Sequence, residues 1–217
     1  MANSNSPGDS RQVIEAVKTV FFDVDTQLDF LYPAGALYVP GAEAIVPRLG
    51  ELTRYAASHG IPIVSTADAH SEDDPEFETW PPHCVLDTNG QQKTAMTQLP
   101  KAQVVTTDED DSSFQSVPQY VVEKQNIDCF TNPNLRPLLK FLGADRYVLY
   151  GVATEVCVSC AATVLLATGA QVELVTDVIR GLDAAKEREM VEQFVAAGGV
   201  ATTAERVIGA SARYAHS

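Results

Sequence analysis

The stretch RYVLYGVATEVC, residues 146–157, contains the junction that decides the fold. It begins as an apolar run with β-branched and aromatic residues, passes the small residues Gly151 and Ala153, and continues into a helical pattern that carries Cys157. A buried strand that leads into a helix is the repeating unit of sheets with parallel strands. The stretch therefore predicts a strand–turn–helix unit of an α/β domain, with Cys157 in the first turn of the helix.

Similar apolar runs alternate with helical patterns along the whole chain, which predicts a three-layer αβα fold with a mostly parallel sheet of about six strands. Strands are predicted at 19–26, 61–67, 120–124, 146–152, 171–177 and 198–203. Helices are predicted at 42–59, 133–142, 155–169, 183–197 and 204–212. The connection from 68 to 119 is rich in Pro, Asp, Thr and Ser, so we expect it to be irregular and either functional or mobile.

The length and composition favour one globular domain. A chain of 217 residues suits a single α/β domain, which we place at residues 18–217 after an N-terminal tail of residues 1–17. With 15 basic and 29 acidic residues the net charge is -14, which disfavours nucleic acid and anionic membranes and leaves a small molecule as the expected partner. The start of the chain lacks the pattern of a secretory signal, so we expect a cytoplasmic protein.

The four cysteines are scattered, which fits a reducing compartment. The spacing Cys157-x-x-Cys160 also allows a redox interpretation, but a thioredoxin-like motif belongs early in its fold. Redox chemistry is therefore the weaker hypothesis.

Ionisable residues stand where several predicted strands end. Asp23 and Asp25 close the first strand, Lys124 ends the third, and Cys157 follows the fourth. The carboxyl ends of parallel strands meet at one edge of a sheet, where ligands of α/β proteins bind. We therefore expect an acid, a base and a thiol at one rim, with Asp23 and Asp25 equally placed for the acid.

Cys157 is the candidate nucleophile. At a helix start, free N–H groups and the helix dipole favour an anion, which predicts a lowered thiol pKa and a place for an oxyanion. The alternative is a small buried apolar residue. Lys124 and Asp25 favour the nucleophile, although Lys124 could be an ordinary surface lysine and Asp25 could cap a turn.

A second set of residues suits a metal. Asp68 and His70 share one short turn, and His83 lies one loop away, so a carboxylate and two imidazoles could hold Zn, Fe or Mn. Glu76 could be a fourth ligand, and the alternative is that the histidines are structural.

Two aromatic residues could line a ligand pocket. Phe30 follows the first strand and Trp80 stands near His83. They could flank a flat ring, although from position alone the protein core is the simpler place for both.

The ordered motifs DVDTQLDF, PAGAL, DAH, WPPHC, EK and GVATEVCV span most of residues 19–178. In this order they resemble the isochorismatase-like cysteine hydrolases, and the nicotinamidase branch in particular. The resemblance implies hydrolysis of nicotinamide to nicotinate and ammonia through a thioester, in a homo-oligomer. The other hypotheses are a related hydrolase of another small amide or ureide, and an inactive metal- or ligand-binding module.

The resemblance also implies roles for single residues. Asp25 rather than Asp23 would be the general base, with Lys124 beside it and Cys157 as nucleophile. A cis Val152–Ala153 peptide bond would place the Ala153 N–H in an oxyanion hole together with that of Cys157, and Ala153 would also contact the substrate.

For the metal, the resemblance implies Asp68, His70 and His83 as ligands, with Glu76 added in some members. The metal would anchor the pyridine nitrogen, with Zn favoured and Fe or Mn as alternatives, while Phe30 and Trp80 sandwich the ring.

Two segments depart from the pattern of nicotinamidases. Residues 104–117 include the acidic insert TTDEDDSSFQSV, and Lys124 is followed by QNIDCFTNPNL where a glycine and a loop with Ser or Tyr are expected. Because these segments are expected to border the pocket, they bear on the substrate more than on the chemistry.

Overall fold

The computed structural model describes residues 17–108 and 113–212. Apart from Val17, the predicted N-terminal tail lies outside the described residues, as does the acidic centre of the 104–117 insert. The division into a tail and a single domain therefore stays a prediction. Within the described residues, no helix has the length and apolar character that crossing a bilayer requires.

The centre of the molecule is a parallel sheet, which confirms the predicted αβα class. It has seven strands rather than about six, in the order β3-β4-β2-β1-β5-β6-β7, and every neighbouring pair is parallel. The strands are β1 Thr19–Val24, β2 Ile63–Asp68, β3 Ala102–Val105, β4 Gln119–Lys124, β5 Arg146–Val152, β6 Gln171–Arg180 and β7 Val200–Thr202.

The strand that the prediction missed is β3. It has only four residues, lies at the edge of the sheet and leaves Val104 48% exposed. An edge strand this short, inside a polar connection, has no alternating apolar run by which it could be recognised.

Six α-helices in the described part of the chain cover the two faces of the sheet. They are α1 Leu28–Leu31, α2 Val46–Ser58, α3 Leu135–Leu142, α4 Ser159–Ala167, α5 Ala184–Ala196 and α6 Ala204–Ala212. Short 3-10 turns occur at Ala42–Ile45, Pro75–Glu78 and Cys129–Thr131, and Thr154–Val158 forms a π-helical turn. Buried residues of α3, α4 and α5 pack on one face, while those of α1, α2 and α6 pack on the other.

The two cores explain the apolar character of the central strands. In β1, Phe22 and Val24 belong to the core under α3–α5, whereas Phe21 belongs to the opposite core. A strand buried on both faces needs apolar residues at successive positions rather than at alternate ones. This is why β1 is recognisable as a continuous apolar run.

The strand order places a crevice at the carboxyl end of β1. The chain runs from β1 to β2 on one side, while β5 lies on the other side. Gly151 allows the close approach of β5, because its φ is +123° and an added Cβ would overlap the Val24 carbonyl oxygen. Such a crevice is where α/β sheets bind ligands.

Candidate active site

The carboxyl ends of four strands bring together the residues predicted for catalysis. Asp25 directly follows β1, Asp68 ends β2, Lys124 ends β4, and Cys157 lies in the turn after β5. Three of them, Asp25, Asp68 and Cys157, line one cavity with about 390 Å³ of space free of protein atoms, its open mouth included. The cavity therefore suits a small molecule.

Lys124 connects the site. Its Nζ lies 3.1 Å from Asp25 Oδ2, contacts Asp68 Oδ1 and lies 3.8 Å from Cys157 Sγ. Lys124 is only 1% exposed. A lysine removed from water in this way keeps its charge only if it is paired, and here two carboxylates supply the pairing.

The pKa values of Lys124 and Asp68 are shifted in opposite directions. Burial alone would lower the pKa of Lys124, but the carboxylates of Asp25 and Asp68 outweigh it and hold that pKa well above its usual value. Burial alone would raise the pKa of Asp68, but the neighbouring Lys124 ammonium and the two histidines bring it below its usual range. Lys124 is thus a cation and Asp68 an anion at neutral pH.

Asp25 differs from Asp68. Burial raises its pKa, the Asp68 charge raises it further, and Lys124 and the Thr66 hydroxyl oppose the shift without cancelling it. The Thr66 hydroxyl donates a hydrogen bond of 2.6 Å to Asp25 Oδ1. A carboxylate with a raised pKa accepts protons more readily, which suits a base.

Asp23 lies outside this site, although strand alternation placed it beside Asp25. Its Oδ2 accepts hydrogen bonds from Lys93 Nζ at 2.8 Å and Ser65 Oγ at 3.0 Å. β1 ends at Val24, and Asp25 has a φ of +50°, so the alternation of a regular strand does not extend to it. The expectation that the two acids are equally placed was wrong.

Cys157 lies in the π-helical turn rather than in the first turn of a regular α-helix, which begins only at Ser159. Burial raises the pKa of its thiol well above the usual value, and Asp25 and Asp68 add to this effect against the opposing charge of Lys124. The lowered thiol pKa expected from the helix start was therefore wrong. The resting group is a thiol that needs a base. All four cysteines are free.

The predicted metal ligands form a compact buried cluster. One ligand atom from each of Asp68, His70 and His83 lies within 4.8 Å of the others. Asp68 Oδ2 lies 3.8 Å from His70 Nε2 and 3.5 Å from His83 Nε2.

The histidine contacts determine which ring nitrogens face the cluster. His83 Nδ1 lies 2.8 Å from the Pro81 carbonyl oxygen, so it carries the proton and donates, which leaves the Nε2 lone pair free. His70 Nδ1 lies 3.0 Å from Asp74 Oδ2, and among the described residues neither nitrogen of this buried ring makes a hydrogen bond. A carboxylate with two free imidazole nitrogens fits a divalent cation such as zinc.

Glu76 does not belong to this compact cluster of donor atoms, but it lines the same cavity. Its pKa is raised, first by partial burial and then by repulsion from Asp68. Its assignment as a fourth ligand stays a prediction.

Three residues predicted to contact a substrate also line the cavity, namely Phe30, Trp80 and Ala153. Phe30 is 7% exposed, and its ring centroid lies 5.4 Å from that of His83. The Val152–Ala153 peptide bond is cis, as the resemblance implies. No motif in the sequence indicates the apolar residues that also line the cavity, which are Leu37, Val39, Ile127, Val156 and Leu182.

Gln27 is a site residue whose role the sequence analysis missed. Its fully buried amide accepts a hydrogen bond from the Asp68 N–H at 2.7 Å and donates one to the Asp68 carbonyl at 2.8 Å. It also donates to the Gln91 carbonyl at 2.6 Å. Gln27 thereby holds the backbone of Asp68 against the end of β1. A polar residue directly after a buried strand is the only sequence signal for such a role.

Comparison with known proteins agrees with this geometry. The family model described as the isochorismatase domain matches residues 19–206. A nicotinamidase from Acinetobacter baylyi is 26% identical over 202 residues, which cover 85% of this chain and 92% of that protein.

Two solved structures have the same architecture. The zinc complex of a pyrazinamidase from Pyrococcus horikoshii has a TM-score of 0.74 and 28% identity, covering 86% of this chain and 99% of that chain. An isochorismatase-like hydrolase from Alkaliphilus metalliredigens has a TM-score of 0.75 and 26% identity, covering 89% and 99%. The predicted resemblance and the predicted hydrolase class are confirmed. The chain belongs to the isochorismatase domain family.

Proposed function

We propose that this protein is a metal-containing cysteine amidohydrolase that converts nicotinamide and water to nicotinate and ammonia. The observation that carries the proposal is the position of Lys124, whose Nζ contacts Asp25 and Asp68 and lies 3.8 Å from the Cys157 sulfur. A base, a nucleophile and a metal ligand therefore share one buried cation at the edge of one cavity.

The reaction begins with proton transfer from Cys157 to Asp25. The two side chains are within hydrogen-bonding reach, and burial raises the pKa of the Cys157 thiol, which favours its protonated form. The Lys124 ammonium, 3.1 Å from Asp25 Oδ2, favours the ionised carboxylate that accepts the thiol proton. As the substrate carbonyl approaches, the thiol proton moves to Asp25 and the sulfur attacks the carbonyl carbon. Lys124 compensates the negative charge that passes between the two groups.

The tetrahedral intermediate then collapses. Its oxyanion accepts hydrogen bonds from the N–H groups of Ala153 and Cys157. Asp25 returns its proton to the amide nitrogen, the C–N bond breaks, and ammonia leaves a thioester on Cys157. Asp25 next takes a proton from water, the hydroxide attacks the thioester, and the acid product leaves while Cys157 regains its proton.

Asp68, His70 and His83 would hold the metal, with zinc as the leading candidate and iron or manganese as alternatives. Bound there, the cation supplies a Lewis-acidic position for a ligand nitrogen or oxygen. The relative from Pyrococcus horikoshii is described in complex with zinc, which supports this choice.

The choice of substrate rests on the cavity and on the relatives. Phe30 and Trp80 line the cavity as aromatic surfaces for a flat ring, and Ala153 lines the same cavity as Cys157. The relatives are named as a nicotinamidase and a pyrazinamidase, both of which act on amides of aromatic rings.

Ammonia release from nicotinamide by the purified protein tests the proposal, with the metal content determined on the same sample. Cys157→Ala should abolish release while the metal is retained. Cys160→Ala is the matched control, since it removes a thiol three residues away that does not line the cavity. Turnover by Cys157→Ala would contradict the thiol mechanism.

One observation favours a second substrate class. Ile127, which lies in the unusual segment after Lys124, lines the cavity. The same chemistry could therefore act on another small amide or a ureide, which a substrate panel would reveal. Stoichiometric metal without hydrolysis of any amide in the panel would favour an inactive binding module.

A cytoplasmic location, a homo-oligomeric state and a role in NAD salvage stay predictions. Fractionation of the source cells and sedimentation of the purified protein would test the first two.

A further inference from the structure

A part-buried contact joins two segments whose neighbouring residues line the cavity. One carboxylate oxygen of Glu187 on α5 accepts hydrogen bonds from the Gly181 N–H and, at 3.3 Å, from the Thr154 hydroxyl. Thr154 is fully buried and opens the π-helical turn that carries Cys157. Glu187 thus ties the start of the Cys157 turn to the loop after β6.

A second carboxylate reinforces this connection between the Cys157 turn and the loop after β6. Glu155, in the Cys157 turn, accepts a hydrogen bond of 2.8 Å from the Asp183 N–H. Asp183 in turn caps α5 by accepting hydrogen bonds from the N–H groups of Ala185 and Lys186. The fit is tight, because a side chain at Gly181 would overlap Glu155 Oε2. The two glutamates close a ring of contacts between the turn, the loop and α5.

The ring of contacts is connected to the cavity because both segments that it joins contribute residues to the cavity lining. Leu182, between Gly181 and Asp183, lines the cavity, as does Cys157. A single π-helical turn is rare and is found frequently at functional sites. We infer that contacts from outside the turn fix the direction of the Cys157 side chain.

We propose that Glu187 is a positioning residue for Cys157, acting through the Thr154 hydroxyl and the Gly181 N–H. The proposal rests on the proposed function, in which Cys157 is the nucleophile. Glu187 itself does not line the cavity. Glu187 affects the position of the Cys157 sulfur. A thiol mechanism requires that this position be accurate to within a fraction of an ångström.

Two variants of Glu187 and one control variant test the proposal. Glu187→Ala should lower kcat for nicotinamide by about tenfold to a hundredfold, with KM changed by less than about threefold, because orientation and not binding is lost. Glu187→Gln keeps an acceptor oxygen and should recover most of kcat. Glu192→Ala removes an exposed glutamate of the same helix and should behave like the wild type.

Thr154→Val provides a test that does not depend on the folding of Glu187→Ala. It keeps the shape of the side chain and removes only the hydroxyl. It should lower kcat, as Glu187→Ala does. The fold loss of kcat in the double variant should be smaller than the product of the fold losses in the two single variants. Wild-type kcat in Thr154→Val and Glu187→Ala would overturn the proposal, as would a thermal destabilisation with unchanged kcat.

A substrate-free measurement separates this proposal from the proposed function. The rate of Cys157 alkylation by iodoacetamide, followed by peptide mass mapping, reports the placement of the sulfur even if nicotinamide is not hydrolysed. Glu187→Ala and Thr154→Val should change this rate at least about threefold, while Cys160 should react as in the wild type. An unchanged Cys157 rate in both variants would overturn the positioning role.

Discussion

The ammonium group of Lys124 lies 3.1 Å from the Asp25 carboxylate, and both side chains are almost completely buried. The same ammonium contacts Asp68, which belongs to the candidate metal cluster. One cation therefore neutralises two acids with different proposed tasks. Its removal should affect stability and catalysis together.

Lys124→Met should abolish turnover and destabilise the protein by about 3–5 kcal/mol, because two buried carboxylates lose their counter-charge. Urea unfolding and kcat/KM measure the two effects. Lys93→Met is the matched control, since it breaks the buried pair with Asp23 outside the site. Lys93→Met should lower the free energy of unfolding but keep most of the activity. Equal loss of activity in both variants would mean that stability alone explains the result.

The pH profile of kcat/KM should fall on the acid side because Asp25 becomes protonated and can no longer act as the base. The pKa of Asp25 is raised, chiefly by burial, so this fall should occur at a higher pH than the ordinary aspartate pKa of about 3.9. On the alkaline side the profile should stay flat to at least about pH 8.5, because the pKa values of Lys124 and Cys157 are both raised. An alkaline loss that begins near pH 7 would contradict this assignment.

Thr66→Val should move the acid limb of that profile to higher pH. The Thr66 hydroxyl donates to Asp25 and stabilises its ionised form, so removing the hydroxyl raises the pKa of Asp25 further. Thr66→Ser keeps the donor and should leave the limb in place. A limb that moves to lower pH, or equally in both variants, would show that the hydroxyl does not act on Asp25.

The sequence predicted the parts of the fold and site that depend on long apolar runs and on residues at their ends. β1, β2, β4 and β5 were recognisable because they are buried, and Lys124 was predicted at the rim because it ends such a run. β3 was missed because four residues at a sheet edge need no apolar pattern.

Other features depend on contacts between distant segments, which one sequence does not reveal. In a regular strand, Asp23 and Asp25 would point to the same face of the sheet because they are two residues apart. The positive φ of Asp25 breaks this regularity and directs the two side chains to different places. The pKa of Cys157 was predicted in the wrong direction because burial outweighs its local position. Gln27 and Glu187 act across 41 and 33 residues of sequence, respectively, and have no local motif that indicates their partners.

Removal of the metal by a chelator should abolish turnover, and a divalent cation should restore it. Asp68, His70 and His83 are the proposed ligands, so His83→Ala should weaken metal binding by at least about tenfold. His59→Ala is the control, because this exposed histidine lies outside the cluster and bonds within its own helix end. Metal binding and turnover that persist unchanged in His83→Ala would exclude this cluster as the metal site.

Asp74→Asn should weaken metal binding about tenfold to a hundredfold without unfolding the protein. Asp74 Oδ2 lies 3.0 Å from His70 Nδ1 and favours a proton there, which keeps the Nε2 lone pair for the metal. Its Oδ1 accepts a hydrogen bond from the Glu76 N–H, a contact that asparagine can keep. Competition with a chromophoric chelator measures the affinity directly, and Asp73→Asn, which changes a neighbouring exposed acid, should leave it unchanged. Equal affinities in the two variants would show that His70 presents Nε2 without the Asp74 charge.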